Sequence, residues 1–239
     1  MNSNPHTLGQ FLNLPEPLQP WLGIAVMLGA SRSVLAIVGE VTQRHRLSPE
    51  VARKALHLGM GTIFFTCPWL FDCAWPMVLL AGFFISLLIA RTYFRALQHH
   101  VAGVIYGVDR TSRGEYYFPL AVAGLFAASR EHPLLYLIPL SLLVHADAAA
   151  ALIGTRYGSI RLPGLRDRKT LEGSVAFMLT AFIAAHLLLL HAGRVEAATS
   201  FAVALSIAVA GAAAESLCRN GLDNVAVPMV AFVILKLVG

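Results

Sequence analysis

The sequence predicts an all-α fold, a polytopic membrane helix bundle, and three observations carry that prediction. Of its 239 residues, 57% are hydrophobic and only 13% charged, with a mean hydropathy of +0.67; soluble domains carry about 25% charged residues, so this supply cannot cover a water-exposed surface. About eight apolar runs approach the roughly 20 residues that a helix needs to cross a bilayer. No run alternates polar and apolar residues as a half-buried strand does, and unclosed strands would leave backbone groups unsatisfied in lipid.

The runs follow one another along the whole chain. Residues 1–20 contain no Lys or Arg, so they lack the charged leader of a secretory signal and are read as an N-terminal extracytoplasmic segment. A single transmembrane domain, 21–239, is expected to follow, with spans near 21–41, 54–71, 74–90, 116–128, 134–153, 173–192, 198–217 and 224–238. The fourth and eighth are short, so the count is seven or eight. Cys67 and Cys73 sit in an apolar hairpin and are read as unpaired filler rather than a disulfide.

Basic residues set the orientation, because cytoplasmic loops retain Lys and Arg. Arg44, Arg46, Arg53 and Lys54 follow the first run, Arg91, Arg95, Arg110 and Arg113 the third, Arg156, Arg161, Arg166, Arg168 and Lys169 the fifth, and Arg219 the seventh, which makes 14 on one side. The opposite loops hold Arg130 and Arg194. This bias places the N-terminus outside and the basic loops in the cytoplasm. The net charge of +5 arises from those loops, so anionic headgroups and anionic substrates account for it without a nucleic-acid partner.

The fifth run places Asp147 about two turns inside its basic end, where an ionisable group is costly unless it faces a partner or water. Ala151, Gly154 and Gly158 follow it at i+4, i+7 and i+11, one stripe that combines a carboxylate with small side chains. Such a stripe suits a metal and a polyphosphate; the small residues could equally serve helix packing. His145 points off the stripe and reads as an interhelical hydrogen-bonder. The following loop feeds the sixth run through Lys169-Thr170-Leu171-Glu172-Gly173-Ser174. Thr170 is the expected N-cap and Glu172 a first-turn acid. A helix start with free N–H groups, a positive dipole end and an adjacent lysine would hold phosphate, with Gly173 giving access to the backbone.

Arg53, Lys54 and His57 share one face at the start of the second run, as a phosphate site or as a marker of the membrane boundary. The seventh run ends with Glu215, pairable with Arg219 at i+4, then Gly221 as a C-cap and Asp223 as an N-cap for the eighth. The stretch from Asp109 to Tyr116 is polar and uninformative, and Arg32 and Glu40 are expected to pair across the bundle. These polar groups sort to one membrane face, as one site open to the cytosol would require.

The ordered set Arg53-Lys54-x-x-His57, Asp147-x-x-x-Ala151-x-x-Gly154-x-x-x-Gly158, Lys169-Thr170-x-Glu172-Gly173-Ser174 and Glu215 to Gly221-x-Asp223-Asn224 with Pro228 resembles the dolichol kinase and phytol kinase family. The Lys-Thr-x-Glu-Gly-Ser run is also similar to a segment of phosphatidate cytidylyltransferases. Ala146 stands before Asp147 where relatives often have glycine. The resemblance implies an integral membrane enzyme of a bacterial inner membrane, with its active site facing the cytoplasm. It would move the γ-phosphoryl group of CTP, or another nucleoside triphosphate, to a polyprenol, phytol, farnesol-type or diacylglycerol hydroxyl. Catalysis would fall to Asp147, Lys169, His57 and Glu215. Nucleotide and phosphate binding would fall to Arg53, Lys54, Gly154, Gly158, Lys169, Thr170, Glu172, Gly173, Ser174 and Asn224, and Mg²⁺ binding to Asp147, Glu215 and Asp223. The rival readings are a CTP:phosphatidate cytidylyltransferase and a small membrane transporter.

Overall fold

A computed structural model describes residues 7–93, 114–129, 132–162, 169–192 and 195–238. Arg95, Arg110, Arg113, Arg130, Arg166, Arg168 and Arg194 lie outside the described residues. The described residues are helical and contain no strand; their one β-type feature is an isolated bridge between Arg161 and Thr170. The chain divides into two compact units, Met1–Glu131 and His132–Gly239.

The first unit holds α1 (Leu8–Phe11), a 3-10 turn (Glu16–Leu18), α2 (Gln19–His45), α3 (Pro49–Phe64), α4 (Cys67–Leu70), α5 (Trp75–Tyr93) and α6 (Gly114–Ala128). Within the N-terminal segment expected over 1–20, α1 forms because Thr7 and Gln10 build a capping box. Arg46 ends α2 in the left-handed region, at φ 48°, and Pro49 in the first turn of α3 restarts the chain without an orphaned N–H. The run predicted over 54–71 is broken after Phe64, so α3 and α4 share it. Rings fill the space between helices: Phe64 meets Phe118 edge-on at 5.9 Å and Phe71 meets Phe126 at 6.5 Å. Gly23 lets α2 lie against Phe71, since a Cβ there would fall 2.4 Å from its ring. Cys67 and Cys73 are thiols, as expected.

The second unit holds α7 (Pro133–Tyr157), α8 (Leu171–His191), α9 (Ala197–Leu217) and α10 (Asp223–Val238). Its core is one cluster in which Leu142, Ala146, Phe177, Ala181, Ile207, Ala208 and Ala231 have no exposed surface. Alanines recur because helices can approach closely only where side chains are short. Within α7, Leu142–Ala146 form a π-helical turn, three residues beyond Pro139. Such a turn inserts an extra residue into a helix and is frequent at functional sites; here Asp147 follows at once.

Among the described residues four helices are long and apolar enough to cross a membrane: the continuous 16–45 segment, α7, α8 and α9. The Trp75–Ala90 part of α5 is a shorter apolar helix. The chain is accordingly a membrane protein. Arg32 and Glu40, expected to pair across the bundle, are both exposed on α2. Local periodicity could not reveal which side of an all-round apolar helix is covered.

Candidate active site

Three helix ends of the second unit carry Lys169, just before α8, Glu215, in the last turn of α9, and Asp223, at the start of α10, while Asp147 lies inside α7. Lys169 Nζ forms a short ion pair with Glu215 Oε1 and stands 4.0 Å from Asp223 Oδ2. Asp147, buried on α7, lies within electrostatic reach of both Lys169 and Glu215. The sequence leaves Arg219, one turn on, as one possible partner of Glu215. The structure corrects this: Arg219 is exposed, and Glu215, 4% exposed, faces the lysine.

The backbone around Lys169 is held from both sides. Leu162 N–H donates to the Lys169 carbonyl at 3.1 Å and Leu171 N–H to the Ile160 carbonyl at 2.8 Å. The Glu172 carboxylate accepts from the backbone N–H of Ser159 at 2.9 Å and of Ile160 at 3.1 Å, and from the Ser159 hydroxyl. The strand of chain leaving α7 is thus tied to the strand entering α8, and Lys169 is fixed one residue before the cap. Thr170 caps α8 as expected, accepting from Gly173 N–H at 3.2 Å.

That cap also engages part of the expected helix-start phosphate site. Leu171 N–H goes to the Ile160 carbonyl and Gly173 N–H to the Thr170 hydroxyl, while Ser174 N–H makes the first regular helical bond, to the Thr170 carbonyl. Two of the amides left over at a helix start, those of Leu171 and Gly173, are thus taken by the protein itself. The glycines are likewise engaged. A Cβ on Gly173 would stand 2.9 Å from the Ala150 carbonyl, and on Gly154 3.0 Å from the Thr170 hydroxyl. On Gly158 it would lie 2.2 Å from the Gly154 carbonyl and 2.6 Å from Thr170 Cγ2. The stripe thus packs α7 closely on α8. Gly158→Ala is therefore expected to cost about 1–3 kcal/mol of stability by overpacking, read as a lowered midpoint in thermal unfolding of detergent-solubilised protein.

Two hydroxyls join the cluster. Ser174 and Ser216 Oγ atoms are 3.1 Å apart, and Ser216 donates to Glu215 Oε2 at 3.4 Å. Ser216 and Ser159 were missed in the sequence, where a serine beside an acid at a helix end carries no distinguishing signal. Asp223 starts α10 rather than preceding it, and Asn224 is half-buried beside it. Gly221 takes φ 85° in the turn before α10, three residues past the observed cap of α9 at Cys218. His145 lies in the π-helical turn of α7, within reach of the Ser141 carbonyl of its own helix. Arg53, Lys54 and His57 lie on α3 in the first unit. Arg53 pairs with Glu50 at 2.6 Å, Lys54 is buried, and His57 meets Phe118 edge-on at 4.8 Å.

Burial by itself pushes the Lys169 pKa down; the Glu215 carboxylate, by charge and hydrogen bond, and then Asp223 and Asp147 outweigh it and hold the pKa above the ordinary lysine value. A raised folded-state pKa contributes stability in full below the unfolded value of about 10.4, lost as pH rises through the folded value. The stability difference between wild type and Lys169→Met is thus expected to stay flat from roughly pH 7 to 9, measured as melting midpoints across that range.

Carboxylate oxygens suit Mg²⁺, which takes one or two of them together with substrate phosphates. Asp147, Glu215 and Asp223, the expected metal ligands, are here gathered around an ammonium group instead. Among the described residues no group of three or more His, Cys, Asp or Glu is placed to hold a metal ion. With Lys169 at the centre, the cluster does not fit a resident divalent ion.

The sequence profile of the cytidylyltransferase family matches residues 18–217. The chain belongs to that family. Among cytidylyltransferase-family relatives, a phytol kinase of Synechocystis is 29% identical over 225 residues, 91% of each chain. A probable phytol kinase 2 of Glycine max is 25% identical over 188 residues, 74% of this chain and 59% of its own. Farnesol kinase of Arabidopsis thaliana is 24% identical over 159 residues, 64% of this chain and 52% of its own. The chain thus spans nearly all of the cyanobacterial relative and little more than half of these two plant relatives. No solved structure matches.

Proposed function

We propose that this chain is a membrane kinase that transfers the γ-phosphoryl group of CTP, or of another nucleoside triphosphate, to the hydroxyl of a lipid alcohol of phytol or farnesol type. The observation that carries the reading is likeness to a phytol kinase along 91% of both chains. The lysine-centred acid cluster supports it, because phosphoryl transfer demands positioning and charge neutralisation more than covalent chemistry.

The lipid oxygen attacks the γ-phosphorus, the bond from that phosphorus to the β-bridging oxygen breaks, and CDP leaves while the hydroxyl proton passes to a base. The nucleotide enters as its magnesium complex, a substrate. Lys169 would turn to the phosphate oxygens as charge develops, with Asp147, Glu215 and Asp223 setting its position and Asn224 beside them. His57 is our candidate for the proton, and Arg53 and Lys54 for phosphate contacts. The reading also takes seven or eight crossings, the N-terminus outside and the basic loops in the cytoplasm of a bacterial inner membrane. Fourteen basic residues against two in the sequence support that orientation.

The test is to incubate purified protein with Mg²⁺, a panel of phytol, farnesol and geranylgeraniol, and CTP labelled in either the α or the γ position. Label from the γ position should reach the lipid. In a parallel incubation with phosphatidate, transfer of α label to that lipid would replace the proposal with cytidylyl transfer, the activity after which the family is named. No label in any lipid, from folded protein, would end both.

A further inference from the structure

Glu215 near the end of α9 and Asp223 at the start of α10 meet an ammonium, with Asp147 of α7 within electrostatic reach. Lys169 Nζ contacts Glu215 Oε1, stands 4.0 Å from Asp223 Oδ2 and feels the charge of Asp147. Its backbone is pinned by Leu162 and its side chain is largely buried, 19% exposed, so it is built into the cluster. An ammonium carries one charge and three donors, whereas a hard divalent ion would draw the same oxygens to itself at about 2.0–2.1 Å. The two cannot share one centre. Among the described residues, no other acid, histidine or cysteine group offers a metal a place.

We propose that Lys169 stands in for a resident cation among Asp147, Glu215 and Asp223, so that the chain by itself binds no divalent ion at these carboxylates and the ion arrives only as part of the nucleotide complex. The second half of this statement rests on the kinase reading; the first does not. Without the lysine, Glu215 and Asp223 would be two hard-oxygen donors lacking a counter-charge, which suits a divalent ion that keeps most of its waters.

The experiment uses the full chain in detergent and Mn²⁺ as a paramagnetic probe, with bound and free ion separated by electron paramagnetic resonance. No lipid alcohol is present, so failure of the kinase reading cannot affect the outcome. The quantity read is Mn²⁺ binding that Glu215→Gln removes. Without nucleotide, wild type should have none, while Lys169→Met should bind at least ~10-fold more tightly, because its carboxylates lose their buried counter-charge. The gain should disappear in Lys169→Met/Glu215→Gln. A Glu215-dependent Mn²⁺ site in nucleotide-free wild type overturns the proposal, as does a folded Lys169→Met protein that gains none. If Lys169→Met fails to fold, the wild-type titration decides: Glu215-dependent binding overturns the proposal and its absence supports it. Addition of CTP should then raise Mn²⁺ retention by wild type; unchanged retention overturns the second half alone.

Discussion

Asp147→Asn is expected to lower phosphoryl transfer by about 100- to 1000-fold while the protein still inserts and folds. The range is that for removing one preorganised group from a reacting centre. Asparagine keeps the size of the side chain, and Asp147 is buried in α7 among short neighbours, Ala146 and Ala148, which tolerate it. What changes is the charge: one of three carboxylates around Lys169 is lost, and the ammonium is drawn toward the remaining two, Glu215 and Asp223. Initial rates with γ-labelled CTP, alongside a melting curve, separate the two effects. Wild-type rates in the variant would remove Asp147 from the site.

Lys169→Met is expected to have the largest effect on stability of any single change in the cluster, about 3 kcal/mol. Its partner Glu215 is 4% exposed, so removing the ammonium strands a carboxylate that neither water nor another described cation relieves. Burying that charge uncompensated costs more than the ion pair contributes. The second variant makes the argument specific: Lys169→Met/Glu215→Gln should recover most of the lost melting temperature and none of the activity, because a neutral pair satisfies burial but leaves no cation to meet phosphate. Equal midpoints for single and double variants would show that the pair is not the source of the loss.

Those outcomes turn on contacts the sequence discloses unevenly. Each apolar run is helical in the structure, because membrane helices declare themselves through composition alone; only the run over 54–71 is interrupted. The Thr170 cap was legible from a threonine, a lysine and an acid at fixed offsets, since capping is local chemistry. The partner of Glu215 was not. A one-turn neighbour, Arg219, satisfies every local rule, whereas Lys169 reaches Glu215 only because α8 and α9 pack against each other and bring the start of one beside the end of the other. The glycines are ambiguous for a related reason. A stripe of small residues is the same string whether it cradles a ligand or another helix, and only the structure shows how closely Gly154 and Gly173 bring α7 and α8 together. Arg32 and Glu40 invited pairing because both are charges in an apolar helix, yet they are exposed on it. The short α1 helix was readable from Thr7 and Gln10, but a segment without Lys or Arg drew no search for caps.

The wide turn at Leu142–Ala146 makes the spacing of α7 intolerant of length change. Cutting out one residue there, Val144 for instance, would tighten the coil to ordinary pitch and swivel everything before it relative to everything after it by about 100°. Pro133–Ser141 and the segment carrying Asp147 could not then both keep their present neighbours. A one-residue deletion that preserves hydrophobicity would therefore uncouple the acid from its cluster, whereas substitutions in the same five residues alter only packing.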